Sequence, residues 1–135
     1  VRYSVVAVGK AKPPYLDDLQ HYAKLLSRYA RVDVIEVADD AALQRRIPER
    51  SYVCLLDSRG TSYTSEAFAT WLESRRQAGR DVCFALGGAF GTGLVNPDHT
   101  LSFGPATLPH MLARVVLLEQ LYRAHKILAG EPYHH

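Results

Sequence analysis

Between Asp81 and Gly87 the chain reads Val82-Cys83-Phe84-Ala85-Leu86, a run without a polar side chain. A strand of this kind has no face to offer water. It must be covered above and below, the situation of a strand inside a parallel sheet packed by helices on both faces. That condition excludes an open antiparallel sheet with one wet face and demands helices between the strands.

The remaining sequence supplies them in alternation. Tyr3 to Val8 is a β-branched run closed by Gly9-Lys10 and Pro13-Pro14, and predicts a first strand. Tyr15, Leu19, Tyr22 and Leu26 then recur at helical spacing, with Asp17 and Asp18 where a helix N-terminus favours negative charge. Val32 to Val37 predicts a second strand, Asp39 to Ile47 a short helix, and Tyr52 to Leu56 a third strand ending in an Asp57 to Thr61 loop. Ser65 is expected to cap a helix carrying Phe68, Trp71 and Leu72, with Gly79 as its left-handed stop. A fifth strand, Thr100 to Phe103, leads through a Gly104 to Pro109 loop into a helix from His110 to Leu128. The expectation is one α/β domain over residues 1–135, with a mostly parallel sheet and helices on both faces.

With 47% apolar and 22% charged residues, the 135-residue chain has the makings of a packed core and not of a disordered segment. No apolar run approaches the roughly 20 residues that span a bilayer. The first residues enter a strand without a charged leader, so a cytoplasmic location is expected. Cys54 and Cys83 sit in apolar runs without CxxC or Cys/His spacing, and read as buried free thiols, with neither disulfide nor metal site. A net charge of +2 is too small to announce nucleic acid by itself. The distribution matters more: Lys10 and Lys12 in the first loop, Arg59 in a middle loop and Arg114 on the last helix form a basic patch only if the fold brings them together.

Ligands of open parallel sheets bind where loops leave the carboxyl ends of strands. Three such loops stand out: Asp57 to Thr61, Gly87 to Gly93 and Gly104 to Pro109. Glycines let main-chain groups approach a ligand closely. The spacing in Gly88-Ala89-Phe90-Gly91-Thr92-Gly93 does not fit GxGxxG, and no GxxxxGK[ST] is present, so a nucleoside-binding reading and a plain set of turns both stay open. The last helix is apolar almost all round, from Met111 and Leu112 through Val115 to Leu118, then Leu121 and Tyr122. Either a second subunit covers its excess apolar surface or it lies at the centre of the core. Glu119 and Arg123 stand at i, i+4 in the order that favours an ion pair.

Gly87-Gly88, Leu101-Ser102, Thr107-Leu108-Pro109-His110, Arg114-Val115, Leu121-Tyr122-Arg123-Ala124 and Pro132-Tyr133-His134, with Val6-Ala7-Val8-Gly9-Lys10 at the start, together resemble the small bacterial SPOUT-class methyltransferases that modify N3 of a pseudouridine in 23S ribosomal RNA. The likeness spans nearly the whole chain. It lies in the order, spacing and distance from the C-terminus of these segments.

The resemblance implies a C-terminal segment threaded as a trefoil knot, S-adenosylmethionine held in it, and a homodimer as the active form, acting on 23S rRNA within the ribosome. Carried over position by position, it implies cofactor contacts at Leu56, Gly88, Gly104, Pro105, Ala106, Thr107, Leu108 and Pro109. Arg123, Tyr133 and His134 are the residues it implies near the target base, with His110 behind them and no role for His135. Lys10, Lys12, Arg59 and Arg114 are the candidates for RNA contact.

These residue types suit the chemistry. Methyl transfer is an in-line displacement, so the acceptor nitrogen and the methyl must be held aligned. N3 of pseudouridine is an imide N–H, nucleophilic only as its proton leaves and as charge grows on the flanking carbonyl oxygens. Histidine can take that proton near neutral pH, arginine can face the oxygens, and tyrosine can stack or donate. Two departures from the family pattern stand out: the Ala38 to Ser51 segment is short, and Phe90 replaces a polar residue before Gly91 in a stretch that stays compact through Asp98. They leave two alternatives: a SPOUT enzyme acting on another base or a ribose 2′-oxygen, and a noncatalytic RNA-binding dimer.

Overall fold

The computed structural model describes residues 1–88 and 95–133. In chain order the elements are β1 (Tyr3–Val8), α1 (Tyr15–Leu26), β2 (Val32–Val37), α2 (Asp40–Arg46), β3 (Tyr52–Ser62), α3 (Ser65–Ala78), β4 (Val82–Leu86), β5 (His99–Ser102) and α4 (His110–Leu128). The strands form one sheet in the order β2-β1-β4-β3-β5, and every pairing is parallel. All five therefore deliver their following loops to the same edge.

The apolar run that opened the sequence reading is β4, between β1 and β3, and all of its residues are buried. Tyr3, Val5, Cys54, Phe84 and Leu101 face one layer made by Leu19 and Leu26 of α1, Phe68 and Leu72 of α3, and Leu117 and Leu121 of α4. Val6, Leu55, Cys83 and Ala85 face the other way, against Leu43 of α2 and Val95. At roughly 1.5–3 kcal/mol for each large apolar side chain removed from water, β4 is a principal anchor of the sheet. The two thiols lie on opposite faces, free and buried, and burial pushes both above the ordinary thiol range.

Three elements differ from the sequence expectation. The third strand does not end at Leu56: β3 continues to Ser62, with a register shift between Leu56 and Thr61, so that residues 57–60 bulge while Thr61 and Ser62 rejoin β5. Gly60 allows this, because a Cβ there would lie 2.6 Å from the main chain of Thr100. The cap of α3 is Thr64, whose side chain accepts from the Ala67 N–H at 3.1 Å; Ser65 is the first helical residue. The fifth strand begins at His99, one residue early. Gly79 stops α3 at φ 82°, and Asp39 caps α2 by accepting from the Ala42 N–H at 2.8 Å.

The last helix lies between α1 and α3 on one face of the sheet. Its neighbours bury Leu117, Leu118, Leu121, Tyr122 and Ala124, while Leu112, Val115 and Val116 stay partly exposed. Much of the apolar surface that the sequence left unassigned is thus core.

Candidate functional site

A cavity of about 350 Å³ opens at the carboxyl edge of the sheet. Its walls are the β3 bulge (Leu56 to Arg59), the end of β4 (Leu86 to Gly88), the loop after β5 and the start of α4. Of the positions expected to contact a cofactor, Leu56, Gly88, Gly104, Ala106, Thr107 and Leu108 line it. Pro105 and Pro109 belong to the same loop without being lining residues. His110 lines it too. Glycines and small residues from three loops line it together with the apolar Leu101, Phe103 and Ala113, and such residues let main-chain groups come close to a ligand. The size lies within the range of sites for small organic ligands.

The walls are tied together by a residue that the sequence reading placed in the pattern without assigning it a role. Ser102, buried at the end of β5, accepts the Gly104 N–H at 3.0 Å and has the carbonyls of Gly104 and Ser58 at 2.9 and 3.1 Å for its single proton. One hydroxyl therefore joins the β3 bulge to the loop after β5, and Gly104 turns at φ 119°. On the rim, Arg59 returns onto Asp57 through Nε at 3.0 Å and Nη2 at 2.8 Å. Hydrogen bonds from the side chain and main chain of Arg59 hold the Asp57 carboxyl down at about 2. Asp57 stays ionised, a fixed acceptor on the cavity wall. The signal for Ser102 was its place just before a Gly-Pro loop, but its partner Ser58 is 44 residues away.

Arg123 and Tyr133 meet elsewhere. Arg123 bonds Glu119 through Nε at 3.1 Å and Nη2 at 2.8 Å, its guanidinium lies 4.6 Å from the centre of the Tyr133 ring, and the Tyr133 hydroxyl donates to Glu119 at 3.0 Å. The Tyr122 ring meets Tyr133 edge-on at 5.0 Å. The i, i+4 pair read from the sequence is thus half-buried and part of a cluster. Burial, then the Glu119 hydrogen bond, pushes the Tyr133 phenol up to about 12, so at neutral pH it is a donor and not a base. Arg123 lies ten residues past Ala113, the last lining residue of the cavity. At 1.5 Å per helical residue that is about 15 Å along α4. The fold brings six of the cofactor candidates to one cavity and places Arg123, with Tyr133 packed on it, further along α4. His134 and His135 lie outside the described residues, as does Phe90.

Lys10 and Lys12 are exposed on the loop after β1, at the same edge of the sheet as the cavity, and Arg59 is exposed on its rim. Arg114 is a correction. It is 1% exposed, donates to Glu36 at 2.7 Å and to the Gly9 carbonyl at 2.9 Å, and its Nε is buried with no partner among the described residues. A guanidinium packed beneath the chain cannot meet a phosphate, and the basic patch loses that member. Glu36 in turn accepts the Ala11 N–H at 2.6 Å. Burial pushes its carboxyl up, but the bonds from Ala11 and Arg114 and the charges of Arg114 and Lys10 outweigh this and lower it.

Among the described residues no group of three or more His, Cys, Asp or Glu side chains can hold a metal ion, and no helix is long and apolar enough to cross a membrane. A parallel sheet with a cavity of this size at its carboxyl edge defines an α/β domain with a small-ligand site where such sheets carry theirs. The chain matches the family described as "Predicted SPOUT methyltransferase" over residues 1–134, and it belongs to that methyltransferase family. It is 39% identical over 155 residues to ribosomal RNA large subunit methyltransferase H of Clostridium botulinum (strain Kyoto / Type A2), covering 97% of this chain and 98% of that protein. It is 39% identical to the protein of the same name from Acetivibrio thermocellus (99% of each chain), and 43% identical to that of Gluconacetobacter diazotrophicus (96% and 95%). These matches run over 146 to 158 residues against 135 here, so the relatives carry residues with no counterpart in this chain.

Proposed function

We propose that this chain is an S-adenosylmethionine-dependent methyltransferase that methylates N3 of a pseudouridine in a 23S rRNA stem-loop, on the assembled ribosome in the cytoplasm, as a homodimer whose C-terminal segment is threaded as a trefoil knot. Family membership and the names of the relatives support ribosomal RNA as substrate. The observation that carries the cofactor assignment is the cavity formed by six of the eight expected positions. Leu56, Leu101 and Leu108 would hold the adenine by apolar contact, and the ionised Asp57 would accept hydrogen bonds from ribose hydroxyls.

When bound, the cofactor supplies an electrophilic sulfonium methyl. The residues of the chain then have three tasks: to hold the acceptor nitrogen in line, to face the charge growing on the carbonyl oxygens, and to pass on the imide proton. Arg123, oriented by Glu119, serves the second; Tyr133 positions the base by stacking or donating; His134 serves the third. The separation of about 15 Å along α4 supports a composite site in which one subunit's Arg123 and Tyr133 approach the other subunit's cavity.

The test is mass spectrometry of nucleosides from RNA treated with the protein and labelled cofactor, comparing assembled ribosomes with separated subunits. N3-methylpseudouridine from assembled ribosomes is the expected product. A label on a ribose oxygen or another base assigns a different SPOUT reaction. No product together with no calorimetric binding of S-adenosylmethionine leaves a noncatalytic RNA-binding protein.

A further inference from the structure

Away from the cavity, along the outer edge of the sheet where α3 packs on β3 and β5, four partly exposed rings stand in file. The Tyr63 ring lies 6.0 Å from His99, His99 5.2 Å from Trp71, and Trp71 6.4 Å from Tyr52. The file ends in cations: the guanidinium of Arg75 is 4.2 Å from the centre of the Tyr52 ring, and that of Arg80 is 5.7 Å from it. Arg80 has Asp98 at 3.9 Å, with both side chains about half exposed. Arg75 makes no ion pair among the described residues.

The arrangement is rigid. Trp71 is stacked between His99 and Phe68, the latter at 5.6 Å and 19°. The Tyr63 hydroxyl and His99 Nε2 share a hydrogen bond at 3.0 Å, which fixes both outer rings. Burial, then the charge of Arg75, lowers the His99 pKa, so the imidazole stays a neutral flat ring at neutral pH. The file also leads toward the cavity: His99 and Leu101 share a face of β5, and Leu101 is part of the cavity floor roughly 7 Å further along the strand.

We infer that this file of rings and arginines is a second RNA contact, binding an unpaired stretch of the substrate by base stacking at Tyr63 and His99 and by phosphate contact at Arg75 and Arg80. Rings flanked by guanidinium groups, that of Arg75 without an ion pair among the described residues and that of Arg80 shared with Asp98 and the carbonyls of Arg50 and Ser51, match a polyanion that carries flat bases, and such platforms are tolerant of sequence. A protein partner would find few apolar side chains here other than these rings, with positive charge beside them. The inference rests on RNA being the substrate and adds a surface that none of the expected RNA-contact residues occupies.

Trp71 is the only tryptophan of the chain, so its fluorescence reports this face alone. Titration of the full chain with a fluorescein-labelled single-stranded oligoribonucleotide is expected to quench Trp71 as anisotropy rises, while a fully duplexed RNA of the same length leaves it unchanged. His99→Ala is expected to weaken single-strand binding about 5- to 100-fold, the range for one stacked base. Arg75→Glu is expected to weaken it and flatten the salt slope by about 1. S-adenosylmethionine affinity serves as the control for an intact fold and is expected to be unchanged in both variants. Wild-type binding with unaltered Trp71 emission, or equal affinities and slopes in the variants, would overturn the inference while leaving RNA as the substrate. Trp71 emission that responds to dilution of the protein and not to RNA would assign the face to self-association and overturn it too. Absence of any oligoribonucleotide binding by the wild-type chain would overturn the inference, and the substrate reading falls with it only if treated ribosomes also carry no labelled nucleoside.

Discussion

The two ends of α4 recognise in different currencies. At its N-terminal end the cavity is made of glycines, small residues and main chain, with Ser102 as the clip between its walls. At its C-terminal end Glu119, Arg123, Tyr122 and Tyr133 form a side-chain cluster with little main chain in view. The first suits a ligand that is always the same molecule. The second suits a reacting base whose charge changes during the reaction. A single helix carries both and keeps them apart, which is why the proposed composite site needs two copies.

The largest expected effect falls at the C-terminal end. Arg123→Ala should lower turnover by about 10²–10³-fold, the loss typical of one donor facing developing charge, with S-adenosylmethionine affinity unchanged in calorimetry. Full activity would dissolve the division of labour between the two ends. Arg114→Ala strikes between them and should destabilise the protein by about 3 kcal/mol in urea denaturation, since Glu36 and the Gly9 carbonyl lose their partner. Its effect on RNA affinity at matched folded fraction should be negligible, because the side chain does not reach the surface.

His125 gives a pH test at the C-terminal end. It is buried, pairs with the Tyr3 hydroxyl at 2.9 Å, and desolvation, with a smaller push from Arg76, lowers it from 6.5 to about 4. The unfolded chain takes up this proton before the folded chain does. Stability is therefore full above about pH 6.5 and declines toward about pH 4, by about 2 kcal/mol between about pH 7 and about pH 5. Denaturation of His125→Gln should show a shallower slope over that interval. The smallest effect belongs to the N-terminal end: Ser102→Ala should weaken S-adenosylmethionine binding about 5-fold, matching about 1 kcal/mol for one clip, and lower the melting temperature by about 3–5 °C. A loss in turnover without loss of binding would place Ser102 with the other end.

The fold was legible because its elements obey local rules. Strand and helix periodicity and the Gly79 stop need no partner from afar. Apart from the one-residue shift of the α3 cap from Ser65 to Thr64, the failures are tertiary. Asp57-Ser58-Arg59-Gly60 reads as a turn, and continues as strand only because β5 lies alongside and Gly60 fits against Thr100. Arg114 reads as a surface cation on a helix, and is buried because Glu36 waits 78 residues earlier. Arg123 and Tyr133 were read with His134 as residues near the target base; the packing of Tyr133 on Arg123 is a contact no motif announces, and the distance of Arg123 from the cavity follows from helix length, which the sequence states and motif reading overlooks.

Arg114 ties α4 to the loop that carries Lys10: it holds the Gly9 carbonyl directly, and it holds Glu36, which grips the Ala11 N–H. The loop after β1 and the helix that begins at the cavity are therefore one lever. Loss of that guanidinium would therefore loosen both at once, the loop that bears Lys10 and the second turn of α4.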